Sequence, residues 1–191
     1  ERYPDTQVYA VLLDRVVNLL EEGFNVGVRI GELDDSSMRA VRVGSVRRVL
    51  CASPRYLAEH GVPSSLDSLH DRPILAFASS PGPIQWRFEQ GGQSKSIRLV
   101  PRLTLTTNDA MVAAAEAGLG IARLLSYQVC EEVSQGSVAI VMEEFEPPPI
   151  PVHILHREDR LQSGKVRAFV DLMAETLRND ERLNPGGFGA P

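Results

Sequence analysis

Arg29, Arg123, Ser53, Thr107, Asn108 and Cys51 are the residues whose type and position offer chemistry. Arg29 sits near the end of an apolar run, Phe24 to Ile30 (FNVGVRI), with Gly31 after it. A guanidinium there can clamp a carboxylate through two parallel hydrogen bonds, or pair with Glu32 or Asp34. Thr107 and Asn108 precede the run AMVAAAEAG and read as a helix start, whose unpaired N–H groups favour an anion; plain N-capping uses the same residues. Ser53, ahead of Pro54, is a cap or a ligand contact. Arg123 interrupts the apolar run Gly120 to Leu125, and either enters a binding cleft or meets an acidic residue at a dimer surface. Catalysis needs a nucleophile, a base and an oxyanion site. Cys51 with a histidine is the one combination on offer, and no local spacing supports it, so the chain reads as a non-enzyme.

The remaining polar landmarks read as structural. Cys51 and Cys130 lack a nearby CxxC pair with histidines, so no metal site is expected. They read as two reduced, packed thiols, with a thiol–disulfide sensor as the alternative. His60 and His70 fall at a helix end and in a loop and read as solvated. His153 and His156 share a strand with Ile154 and Leu155 and read as structural. Trp86 reads as core. The glycines of Ala117-Gly118-Leu119-Gly120 open a strand rather than follow one, which excludes a dinucleotide loop.

These residues must be held by an ordinary globular scaffold. The chain has 191 residues, 43% hydrophobic and 24% charged, with 20 Lys+Arg against 25 Asp+Glu and a net charge of −5. No run approaches the roughly 18 consecutive apolar residues of a membrane helix. A net acidic chain grips nucleic acid poorly by itself, since phosphate affinity comes from Lys and Arg. No signal-peptide pattern opens the sequence, and without an initiator Met the chain reads as a fragment of a cytoplasmic protein.

Strands and helices alternate, which places the chain in the α/β class. Gln7–Leu13 reads as a strand buried on both faces, Asp14 to Gly23 as a helix, and Phe24–Ile30 as a second strand. Together they predict a βαβ unit with a parallel pair. Val41–Ala52 continues as strand. Ser53, Pro54 and Gly61 bracket a helix. Ile74–Ala78 is a strand, Gly91-Gly92 turns a hairpin, and Arg102–Thr106 leads into the helix at Thr107. Gly120–Leu125 is a strand, and Ser126 opens a helix closed by Gly136. Ser137–Met142 is strand-like, and Pro147-Pro148-Pro149 stiffens the path to a strand at Val152–His156. Ser163 caps a last helix with Val166, Phe169, Val170, Met173 and Leu177 on one face. The ending NPGGFGAP reads as a disordered tail.

Several segments then resemble one family. YPDTQVYAVLLDRVVNLLEEGFNVGVRIGEL, VLCASPRYLAEHGVPSSLDSLHDRPIL, QWRFEQGG, NDAMVAAAEAGLGIARLLSYQV, GSVAIVMEEFEPPPIPVHILHRED and KVRAFVDLMAE are similar to the effector-binding domain of LysR-type transcriptional regulators, over about residues 1–178. The resemblance implies two Rossmann-like lobes of the type 2 periplasmic-binding-protein fold. Lobe I would be 1–50 plus 153–184, lobe II 51–152 and the tail 185–191, with crossings near Leu50–Ser53 and Pro151–His156. The family's N-terminal winged helix-turn-helix, and the domain's first strand and loop, would lie outside these residues. A small, anionic effector would sit between the lobes against Arg29, Gly31, Ser53, Thr107, Asn108 and Arg123. No cofactor and no membrane contact are implied. DNA would be bound only through the N-terminal domain. Dimers or tetramers would form through the apolar side of Asp14–Gly23 and the helix Ala110–Ala117. The alternatives are a redox regulator using Cys51 and Cys130, or a solute receptor of the same fold. Two departures stand out: the second strand commonly reads Asp-Val-Ala-Ile-Arg, against Asn25-Val26-Gly27-Val28-Arg29 here, and Leu124-Leu125 replaces a frequent Leu-Pro.

Overall fold

The computed structural model describes residues 6–13, 18–19, 21–33, 38–157 and 163–184. The chain divides into two compact units, residues 1–45 with 150–191, and residues 46–149.

In unit 1, a three-stranded sheet has the order β1 (Val26–Ile30), β10 (Ile150–Arg157), β2 (Met38–Val46). β1 runs antiparallel to β10, with Val26 opposite His156 and Ile30 opposite Val152. Gly31 N–H prolongs the ladder by donating to the Pro151 carbonyl at 3.0 Å. The parallel βαβ pair expected from the sequence is therefore not what forms: among the described residues β1 pairs with β10 alone. Its supposed partner, Gln7–Leu13, is irregular and open to water, with Tyr9 85% and Leu12 93% exposed. Apolar content does not make a strand without a neighbour for its N–H and C=O groups, and no sheet among the described residues includes this segment. Half of the helix expected over Asp14 to Gly23, residues 14–17 and 20, falls outside the described residues. Its described end is a turn, with Phe24 N–H donating to the Leu19 carbonyl at 3.0 Å. Leu19 is buried against β1 at Gly27, where a Cβ would stand 2.8 Å from both its methyl carbons. That contact accounts for the glycine at this position.

The last helix, α4 (Gly164–Arg178), starts after Ser163, which occupies the N-cap position without a side-chain cap hydrogen bond. Val170 and Ala174 are its buried residues. Asn184, read from sequence as the first tail residue, is instead buried. Its amide donates to the Val43 carbonyl and the Leu177 carbonyl, both at 2.9 Å. It also fills the space a side chain at Gly44 would need. The tail proper, 185–191, lies outside the described residues.

Unit 2 is built on a five-stranded sheet of order β7-β4-β8-β3-β9, with β3 Arg48–Ala52, β4 Ile74–Phe77, β7 Leu103–Leu105, β8 Ile121–Leu125 and β9 Ala139–Val141. β4 is parallel to β7 and β8, while β3 is antiparallel to β8 and β9. The strands alternate between two apolar layers, which explains their unbroken hydrophobic runs. Val49, Cys51, Leu75, Ala122 and Leu124 pack with Met111, Val112 and Ala115 of helix α2 (Asn108–Glu116) and with Val129 and Val138. Leu50, Ala52, Ile74, Ile121 and Val141 pack on the other side with Tyr56 of α1 (Pro54–His60), Leu66, Leu69, Trp86, Phe88 and Phe145. Leu50 and Cys51 are thus interior members of the unit 2 sheet. The chain changes units earlier than the expected Leu50–Ser53 crossing, at Ser45/Val46, and again at Pro149/Ile150.

The hairpin β5 (Ile84–Gln90) and β6 (Gln93–Leu99) closes through Gly91-Gly92, at φ 59° and 76°. Two consecutive positive φ values suit the right-handed twist of the ribbon and favour glycine. The expected helix from Ser126 is a 3-10 turn, Ser126–Gln128, followed by α3 (Cys130–Gln135) ending at left-handed Gly136. Ser126 is occupied elsewhere: its hydroxyl accepts from Arg47 N–H at 3.1 Å, and its N–H donates to the Arg47 carbonyl at 2.9 Å.

Candidate functional site

Strand direction decides which candidates can meet. Thr107 follows the carboxyl end of β7, and β4 and β8 run parallel with it. β3 runs the other way, so its first residue, Arg48, shares that end of the sheet with Thr107 and Ser126. Ser53 follows the last residue of β3 and lies at the opposite end. It is buried, and its hydroxyl accepts from Tyr56 N–H at 3.2 Å as the cap of α1. Its neighbour is Gly118, at which a Cβ would stand 3.2 Å from the Ser53 hydroxyl. The structure therefore does not bring Ser53 together with Thr107.

Thr107 caps α2, its hydroxyl accepting from Ala110 N–H at 3.4 Å; it is exposed, and Asn108 is half-buried. In unit 1, Arg29 is half-buried near the end of β1, directly opposite His153 on β10. The two side chains share one face of the sheet, and the His153 Nδ1 is buried without a hydrogen-bond partner. His156 is buried, with Nδ1 3.2 Å from the Arg157 carbonyl. His60 is exposed but stacks on Tyr56, with ring centroids 4.4 Å apart.

Arg123 meets no acidic partner among the described residues. Its guanidinium carbon lies 5.7 Å from the Trp86 ring centre and 5.0 Å from that of Phe88. It donates to the Arg87 carbonyl, and burial, then the charge of Arg48, hold its pKa down to about 9. Trp86 is thus core on one side and a cation platform on the other. Cys51 is fully buried, and burial together with Glu132 pushes its thiol up to about 12, which leaves almost no thiolate at neutral pH. Cys130 is half-buried and directs its sulfur at the Tyr127 carbonyl, 3.2 Å away; the two cysteines form no disulfide with one another. Among the described residues no group of three or more His, Cys, Asp or Glu is placed to hold a metal ion. The glycines of Ala117-Gly118-Leu119-Gly120 have structural tasks. Gly118 ends α2, and Gly120 lets the backbone pass against Pro73, whose carbonyl accepts from Ile121 N–H at 2.9 Å.

One cluster escaped the sequence reading. Arg47 Nη1 lies 2.8 Å from Glu143 and 3.5 Å from Glu146, beside both points where the chain leaves unit 2. Burial raises the Glu146 pKa although Arg47 opposes it. The visible signal was a run of acids, Glu143-Glu144 and Glu146, just before the prolines.

A family model described as the LysR substrate binding domain matches residues 1–178. The chain belongs to the LysR substrate-binding domain family. It is 29% identical over 181 residues to the HTH-type transcriptional regulator CrgA of Neisseria meningitidis serogroup C (strain 8013), covering 94% of this chain and 60% of that protein. It is 31% identical over 184 residues to the HTH-type transcriptional repressor PA14_22550 of Pseudomonas aeruginosa (strain UCBPP-PA14), covering 95% and 58%. Among solved structures, the CrgA regulatory domain from Neisseria meningitidis superposes with a TM-score of 0.79 at 27% identity, covering 92% of this chain and 86% of that one. The chain spans about three-fifths of the length of these curated relatives. Its fold is accordingly the mixed α/β, two-lobe, periplasmic-binding-protein-like fold of LysR regulatory domains. The relatives are transcriptional regulators, and the chain is an effector-binding domain rather than an enzyme. Among the described residues no helix is long and apolar enough to cross a membrane.

Proposed function

We propose that this domain senses a small anionic metabolite, with Arg29 and Gly31 of unit 1 and Thr107 and Asn108 of unit 2 as its candidate contacts. The observation that carries the reading is the common end of the unit 2 sheet, where the helix start at Thr107 lies beyond parallel strand ends. Ligands in open α/β folds gather at such ends. Arg29, near the carboxyl end of β1, supplies the complementary cation. Ser53 drops out of the site because it caps α1 at the far end. In the full regulator, a helix-turn-helix of the kind named in the relatives would bind DNA in the cytoplasm. Dimers or tetramers of the effector domains would transmit the change. Effector binding would favour one lobe arrangement over another by roughly 1–3 kcal/mol, the usual size of allosteric coupling.

A thermal-shift panel of small carboxylates, aromatic acids and amino acids tests the reading. A true effector at about 100 times its Kd adds roughly 2.7 kcal/mol and raises Tm. The rise should disappear in Arg29→Ala and weaken in Thr107→Ala, but survive in Cys51→Ser. A rise untouched by both of the first two variants would remove the effector from this site.

A further inference from the structure

Arg48 and Arg123 are diagonal neighbours on one face of the five-stranded sheet. Leu50 stands opposite Arg123 and Leu125 opposite Arg48, and Leu50 belongs to the apolar layer of Trp86 and Phe88. Alternation therefore turns both arginines to that side. Diagonal partners in an antiparallel pair are roughly 7–8 Å apart, within reach of long side chains, and like charges there repel. Neither arginine has a carboxylate partner among the described residues; Glu143 and Glu146 are taken by Arg47, the residue next to Arg48. Arg123 is half-buried and fixed by two rings and the Arg87 carbonyl, and its Nε is sealed from water with no acceptor. Arg48 is exposed. Two cations held together without a counter-charge, one of them already immobilised, form a pre-organised receptor for an anion.

We propose that Arg48 and Arg123 bind a small oxyanion, a carboxylate or a phosphate, on the sheet face beside Trp86 and Phe88. The site lies wholly within unit 2 and does not depend on Arg29 or Thr107. Arg123 is the anchored half, and Arg48 closes onto the anion from the strand next door.

The side-chain Nε–H signal of Arg123 in proton–nitrogen NMR reads this directly, because Trp86 and Phe88 shift it away from exposed arginines. Inorganic phosphate and sodium acetate are titrated separately at constant ionic strength, with chloride as the balancing salt. The expected result is a saturable displacement of the Arg123 signal by one or both anions. Phosphate alone assigns the site to phosphorylated compounds, and acetate alone to carboxylates. In Arg48→Gln, whose exposed position leaves folding intact, the midpoint should move about tenfold higher. Thr107→Ala should leave it unchanged. No saturable displacement by either anion, or an unchanged midpoint in Arg48→Gln, would overturn the proposal and leave Arg123 a packing residue.

Discussion

Asn184 joins the end of α4 to β2 with a single amide, donating to the Leu177 and Val43 carbonyls. Asn184→Ala should cost about 1–3 kcal/mol, the penalty for taking the donor from the buried Val43 carbonyl, and a denaturant melt would register it. The cysteines differ as sharply. With its thiol pushed up to about 12 and no exposed surface, Cys51 should resist iodoacetamide in the native state, while half-buried Cys130 reacts first. Mass spectrometry of tryptic peptides after brief labelling distinguishes the two, and equal labelling would contradict this burial. Ser53 and Thr107 looked alike in sequence, each a hydroxyl before a helix. What separates them is the direction of β3 against β7, which no local pattern encodes.

Most of unit 2 was legible element by element, the helix expected from Ser126 excepted. Pro54 after Ser53, Gly91-Gly92 between alternating runs, and Gly118 after an alanine-rich stretch each impose a backbone demand that local sequence alone can express. Gly120 adds a spatial demand, and Gly120→Ala should unfold or severely destabilise the domain, because a Cβ there collides with the Pro73 carbonyl that Ile121 needs. A far-UV melt checks it. Each alanine at Gly91 or Gly92 should cost only roughly 1–2 kcal/mol, the strain of a left-handed residue in open water. Gln7–Leu13 was misread for the opposite reason. Its apolar composition suits a buried strand, but pairing is a property of two segments, and among the described residues no second segment accepts it. The antiparallel β1–β10 ladder, joining residues 26–30 to 152–156, was equally beyond any local window.

At the scale of the whole molecule, Arg47, Glu143 and Glu146 cluster where the chain both enters and leaves unit 2. Glu146 has its pKa raised by burial from the ordinary 4.5, so its folded form holds the proton more tightly than the unfolded form does. The contribution of this group to stability is full below about pH 4.5 and is lost as pH rises through the folded value. Glu146→Gln should therefore match the parent in acid and equal or exceed it at pH 8, as paired thermal melts at the two pH values would show. A variant markedly weaker at pH 8 would mean that the attraction to Arg47 outweighs burial.

β3 is bonded on both edges and covered on both faces, whereas the Gly91-Gly92 tip projects into solvent. A residue inserted in β3 would turn every side chain on one side of the insertion into the opposite layer, and both layers are already filled. A residue inserted at the ribbon tip would only lengthen a loop. Over evolutionary time, changes in chain length should accumulate at that tip and be purged from β3, so descendants of this domain would diverge in the reach of the ribbon while keeping its central strand residue for residue.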